Sequence, residues 1–276
     1  MSTAPLIDAA ACEVLADAAQ RGAEYIRQIS TRRVVPTTEA VDALGQLGGP
    51  LPEESTSPHQ IVDLLDRIAA PATVGLGGGR YFGFVNGGVL PAALAADWMA
   101  SSWGQNVSLR VMSLAGVALE DIALQWVVEA LGLPEGCGGA LVTGATTANL
   151  LGLAAARHAL LERAGWDVES DGLFGAPPIK VIVGDEVHVS LLKALGILGL
   201  GRQRVRRVPV DAQGRMLTEL LPKLDSQTIV CVQAGNVNTG AFDPAGEICR
   251  RAREAQAWVH VDGAFGLWAA ASPRYR

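Results

Sequence analysis

The chain has 276 residues, with 22 Lys plus Arg against 28 Asp plus Glu and a formal charge of −6. Hydrophobic residues reach 49% and charged residues only 18%, which excludes a disordered chain. Four cysteines exclude a disulfide-stapled miniprotein, and the acidic balance argues against nonspecific nucleic-acid binding, which needs excess cations to neutralise phosphates.

Residues 1–12 carry no basic start, and Asp8 interrupts their apolar character, so they do not read as a secretory signal. The longest apolar runs, 87–100 and 187–200, are broken by Asp97 and by His188 and Lys193. Neither approaches the roughly 20 residues that cross a bilayer, so a cytoplasmic protein without membrane contact is expected. Residues 8–33 read as a helix with Ala, Leu and Ile on a three-to-four spacing. The Pro/Gly-punctuated stretch 35–58 reads as a loop or arm. Ser57 followed by Pro58 opens a second helix through about Ile68, a cap residue followed by a ring that sacrifices no helical hydrogen bond. Residues 75–79 are a glycine joint before the aromatics Tyr81, Phe82 and Phe84. Residues 90–132 read as a long helical region broken near 101–106. The organisation expected is a helical arm and linker over 1–80 and an α/β domain over 81–276.

From Ala140 onward, short β-branched runs alternate with apolar helical runs. The strands expected are ALVTG, KVIVGDE, RVRRVPV, TIVCVQAG and WVHVDGA. The helices between them are TANLLGLAAARHALLERAG, SLLKALGIL, MLTELLPKL and PAGEICRRAREAQA. Strands apolar along their whole length suggest a mostly parallel sheet covered by helices on both faces. The basic run 202–207 alternates with Val205 and reads as a solvated edge or surface strand.

Several polar residues stand where these strands end. Residues 74–80 superficially resemble a dinucleotide loop, but no strand precedes them and aromatics follow where a helix is required, so that reading is rejected. TGATTAN, residues 143–149, joins an expected strand to a helix. Such a junction exposes backbone N–H groups and the positive helix end, a cup for a monophosphate or carboxylate; the plainer reading is ordinary capping by a threonine. His188 follows the strand 180–184 and suits ring stacking or proton transfer, or else a hydrogen-bonded, partly buried histidine. Asp262 ends the strand WVHVD, where a carboxylate is costly unless something cationic meets it: a protonated ring nitrogen, or a metal shared with His260. Asn236 and Asn238, in QAGNVNTG, end another strand and are expected to face the same crevice.

Taken together, these segments resemble the group II pyridoxal-5′-phosphate (PLP) decarboxylases, the aromatic-amino-acid and glutamate decarboxylase family. The match is carried by RYFGFVNGGVLPAALAADW, VTGATTANLLGLAAAR, GDEVHVSLLKALGILG, AGNVNTGAFDPAGEI and WVHVDGAFG, and covers essentially the whole chain. The resemblance implies the fold type I large domain, PLP as cofactor, an amino-acid substrate, loss of CO₂, and a homodimer. It places Ala145 and Thr146 on the cofactor phosphate, His188 against the ring, Asp262 on the ring nitrogen and Ala264 on the opposite ring face. Asn236 and Asn238 fall near the phosphate or substrate, and Phe84, Val85 and Asn86 in the substrate recess. His188 and Asp262 are the catalytic pair it implies.

The departure lies at the cofactor's lysine. The family's Schiff-base lysine sits in an Asp-x-His-Lys motif beyond the HVDGA-like strand, whereas this chain has only Lys180, Lys193 and Lys223, none in such a motif. The expectation is the N-terminal part of a decarboxylase, truncated before the C-terminal small domain and weakly active or inactive. Two alternatives share the same motifs: a non-catalytic PLP-binding or dimerising remnant, and a related carbon–sulfur or carbon–carbon lyase.

Overall fold

The computed structural model describes residues 9–275, and Asp8, where the first helix was expected to begin, lies outside them. The chain forms two compact units, residues 1–104 and 105–276. In the first, helix α1 (Ala9–Gln28) stops short of residue 33, because the chain turns out to let Val34 accept the Gly75 N–H at 2.9 Å. Arg21 on α1 meets Asp17 at 2.9 Å and Asp66 at 2.8 Å, which stitches the helix to a later segment of the same unit. Helix α2 (Thr38–Ala43) is capped by the Thr37 side chain. Helix α3 (Pro58–Leu64) begins with a reciprocal cap between Ser57 and Gln60 and runs on into a wider turn at Leu65–Ala69, as its sequence predicts. Helix α4 (Pro91–Trp103) starts on a proline and ends at Gly104, whose φ of +59° favours glycine.

The second unit opens with α5 (Leu114–Leu131), capped by Ser113 and ended by left-handed Gly132. It continues through α6 (Ala145–Arg163), α7 (Val168–Asp171), β1 (Lys180–Gly184), α8 (Val189–Ile197), β2 (Arg206–Val208), β3 (Thr228–Gln233), α9 (Ala245–Glu254) and β4 (Trp258–Asp262). The four strands lie in the order β2-β1-β3-β4 with every pairing parallel. Only the end of the basic run, Arg206 and Arg207, enters β2, which is an edge strand. The fold is the expected one: a parallel sheet flanked by helices, as in the fold type I large domain.

Two expected elements are absent. Residues 141–143 form no strand; the Leu141 N–H instead reaches the Glu120 carboxylate of α5 at 3.3 Å. The run MLTELLPKL is not a helix, since only Thr218–Leu220 makes a 3₁₀ turn. Met216 bridges Val210 in antiparallel fashion, and Pro222 forbids a continuing helix.

The inner strands β1 and β3 are buried on both faces, which explains why they lack polar alternation. One face packs Val181, Val183, Ile229 and Cys231 against Leu153 and Leu160 of α6 and Leu191 and Leu195 of α8. The other packs Ile182, Val230 and Val232 against Met216, Leu221, Leu224 and Ile248 of α9. Each fully buried Leu or Ile here contributes about 1.5–3 kcal/mol through removal from water. Among the described residues no helix is long and apolar enough to cross a membrane.

Candidate functional site

In the strand order, β1 connects outward to β2 and β3 connects to β4 on the other side, so the chain switches direction between β1 and β3. Open parallel sheets bind ligands outside the carboxyl ends of their strands at such a switch point. His188 follows β1 there, Asn236 follows β3, and Asp262 is the last residue of β4.

Asp262 is 9% exposed. Its Oδ2 accepts the Asn149 Nδ2–H at 3.1 Å and its Oδ1 accepts the Ala264 N–H at 3.2 Å. Among the described residues no cationic side chain forms an ion pair with it. His188 is the N-cap of α8: its Nδ1 accepts the Ser190 N–H at 3.2 Å and lies 2.8 Å from Ser190 Oγ. Ser190 in turn takes the Asn149 Nδ2–H at 3.2 Å. Asn149 Oδ1 accepts from His260 Nε2 at 2.7 Å. One network therefore joins His188, Ser190, Asn149, Asp262 and His260.

Burial holds the His260 imidazole below its ordinary value, with the nearby Asp262 charge acting in the opposite sense. Burial likewise pushes the Cys231 thiol up, and Asp262 adds to that shift. His260, weighed above as a metal partner of Asp262, spends its Nε2–H on Asn149. Its ring also lies against Gly152 of α6, where an added Cβ would fall 2.9 Å from His260 Cε1.

One turn before Asn149, the N-cap of α6 is Gly144, whose φ of +130° favours glycine and which has no side chain to cap the helix. Threonine capping, the plainer reading of this segment, is thus not what the fold uses. Ala145 and Thr146 stand exposed at the helix start. An open recess of about 650 Å³ beside Thr146 is lined by Lys193, Arg202 and Arg204.

The remaining candidates are placed differently. Asn236 is buried, but its side chain is committed: Nδ2 donates to Glu186 at 2.7 Å, and its carbonyl accepts the Asn238 N–H at 2.9 Å. Asn236 thus braces the loops after β1 and β3, while Asn238 is exposed. Ala264 is also exposed, and its N–H is the one that holds Asp262. Phe84, Val85 and Asn86 belong to the first unit. There Phe84 is 93% exposed, and Phe84 and Val85 both have φ near +53°, a conformation that bulky and β-branched residues rarely adopt. Of the lysines, Lys180 pairs with Asp225 at the opposite end of β1, and Lys193 and Lys223 are exposed.

Asn149 and Ser190 were not among the residues singled out from sequence. The signal was there: Asn149, Leu153, Ala156 and Leu160 make one buried stripe of α6 at helical spacing, and Asn149 is its only polar member.

The profile of the pyridoxal-dependent decarboxylase conserved domain matches residues 51–276. The chain is 27% identical over 274 residues to tryptophan decarboxylase 1 of Oryza sativa subsp. japonica, covering 92% of this chain and 52% of that protein. It is 28% identical over 227 residues to acidic amino acid decarboxylase GADL1 of Homo sapiens, covering 79% of this chain and 42% of that protein. Among solved structures it resembles mouse CSAD with a TM-score of 0.85 at 25% identity, over 98% of this chain and 58% of that one. Oryza sativa TDC with PLP gives a TM-score of 0.85 at 25% identity, over 99% of this chain and 61% of that one. The chain therefore spans about half the length of the curated relatives it matches. With the motifs in order along a sheet of this topology and a family profile covering most of its length, the chain belongs to the pyridoxal-dependent decarboxylase family.

Proposed function

We propose that this chain supplies the cofactor-holding part of a PLP-dependent decarboxylase acting on an amino acid. The observation that carries the reading is Asp262, a buried carboxylate met by two neutral donors and by no cation among the described residues. A protonated pyridine nitrogen is the partner such a group lacks. The uncapped start of α6 suits a phosphate, with Ala145 and Thr146 offering backbone N–H groups to it and Lys193, Arg202 and Arg204 adding positive charge nearby. His188, its Nδ1 tied to the α8 cap, offers a flat imidazole with Nε2 free to hold a proton. When bound, PLP supplies an electron sink for the pair released as the carboxylate departs. Asp262 would meet the ring nitrogen with its negative charge held in place, and His188 would cover the ring with a proton at Nε2; Ala264 anchors Asp262 through its N–H.

The substrate recess falls to Phe84, Val85 and Asn86, a reading supported by the strained backbone there, since such strain persists where function holds it. A homodimer is supported by exposed apolar side chains, among them Phe82, Phe84, Val111 and Leu114. Residence in the cytoplasm is supported by four unpaired cysteines, and freedom from nucleic acid by the charge of −6.

The test is incubation with PLP and a panel of amino acids, followed by measurement of CO₂ and by borohydride reduction with peptide mapping. Because none of the three lysines touches the Asp262 network in the described contacts, we expect reversible PLP binding, no specific lysine adduct and slow turnover that Asp262→Asn abolishes. Rapid turnover unaffected by Asp262→Asn would contradict the assignment.

A further inference from the structure

The network around Asp262 has a direction that its donors and acceptors determine. A backbone N–H can only donate, so the Ser190 N–H at 3.2 Å leaves His188 Nδ1 as an acceptor. The Ser190 hydroxyl, 2.8 Å from the same nitrogen, must then donate as well. With its proton spent, the hydroxyl oxygen is left to accept, and the Asn149 Nδ2–H meets it at 3.2 Å. The second Nδ2–H goes to the Asp262 carboxylate at 3.1 Å, and Asn149 Oδ1 takes the His260 Nε2–H at 2.7 Å. Exchanging oxygen and nitrogen on Asn149 would set a carbonyl against a buried carboxylate and against a hydroxyl with no proton to spare. Only one orientation satisfies every member.

We propose that Asn149 and Ser190 are positioning residues that form a one-way relay from His188 to Asp262. The relay fixes His188 as the neutral tautomer with its proton on Nε2, and it locks the ring plane to the carboxylate. Turning the His188 ring would break two hydrogen bonds at Nδ1 and uncap α8. The purpose of the relay rests on the proposed reading of His188 and Asp262 as the pair facing the cofactor: the imidazole proton is held at Nε2, which has no hydrogen-bond partner among the described residues.

The test is a long-range ¹H–¹⁵N correlation spectrum of the full chain labelled with ¹⁵N-histidine, with His188 identified by the signals lost in His188→Gln. His188 is expected to show an unprotonated Nδ1 and a protonated Nε2. Ser190→Ala keeps the backbone N–H on Nδ1, and with it the tautomer, but removes the hydroxyl that links His188 to Asn149, and should move the His188 Nδ1 resonance and the His260 resonances together; Ser190→Thr should restore them. Asn149→Ala should disturb His188 and His260 together. A protonated Nδ1 in the wild-type chain overturns the relay, a result that needs no variant to fold. So does a His188 pattern unmoved by Ser190→Ala in a folded protein. PLP titrated into the same samples separates the two claims. A wild-type chain that takes no PLP defeats the cofactor reading and leaves the histidine resonances to decide the relay. A chain that takes PLP with His188 protonated at Nδ1 overturns the relay alone.

Discussion

A carboxylate taken out of water costs several kcal/mol unless donors or a cation meet it. Asp262 meets two donors and, among the described residues, no ion-pair partner, so in the absence of ligand it is a liability to the fold. Asp262→Asn removes that charge but turns an amide N–H toward one of the two donors, so the effects oppose and the stability of the ligand-free chain in urea should change by no more than about 1.5 kcal/mol. The substitution should also remove the rise in Tm that PLP gives the wild type. A larger loss of stability together with a preserved PLP response would argue for a structural carboxylate. His260 makes a second prediction with the opposite requirement. Its folded-state pKa is lowered by burial, so below the unfolded value of about 6.5 the unfolded chain binds the proton first. Its contribution to stability is whole above that value and declines as pH falls toward the folded pKa. His260→Gln should flatten the urea midpoint between about pH 7 and 5 relative to wild type. The exposed His158, whose pKa Glu169 raises, contributes with the other sign but equally in both proteins. Parallel curves would contradict the burial of a neutral His260.

At the scale of elements, α6 does most to build the site, because one helix carries the uncapped start, Asn149 and the packing stripe. Gly152 inside it looks like a weakness, since an interior glycine costs about 1 kcal/mol against alanine. The ring of His260 occupies the space a Cβ would need. Gly152→Ala should therefore destabilise by about 1–3 kcal/mol despite the propensity gained, and Leu153→Ala by about 2–5 kcal/mol, both read from urea denaturation. A stabilised Gly152→Ala would mean that His260 does not sit on α6. The elements also show what was legible beforehand. KVIVG and TIVCVQ announced strands because burial on both faces leaves no polar alternation to confuse with a helix, and WVHVD announced one by its β-branched valines. ALVTG had the same texture and failed, because a strand needs a neighbour, and composition does not say whether one is available. The segment 216–224 mimicked a helix since Met216, Leu220, Leu221 and Leu224 fall at helical spacing; Pro222 was the local signal against it. Asp262 and His188 were legible as polar groups at strand ends. Ser190 and Asn149 were hidden inside apolar helical stripes, where a polar residue reads as an exception to packing until its partners are known.

For the whole molecule, the family is established over residues 51–276, while the proposed reaction rests on chemistry gathered at one end of a four-stranded sheet. Sedimentation of the purified chain should give a dimer if the exposed apolar residues are an interface between copies; a monomer at micromolar concentration would count against that. We propose, more narrowly, that the Asp262 network and the start of α6 together hold PLP. The most direct measurement is a PLP titration of the wild-type chain and of Asp262→Asn, followed by visible absorbance and intrinsic fluorescence. Saturable one-to-one binding is expected, weakened about tenfold or more in Asp262→Asn by loss of a charge-assisted hydrogen bond, with far-UV circular dichroism unchanged. Equal affinity in the two proteins, or no saturable binding by the wild type, would contradict this proposal.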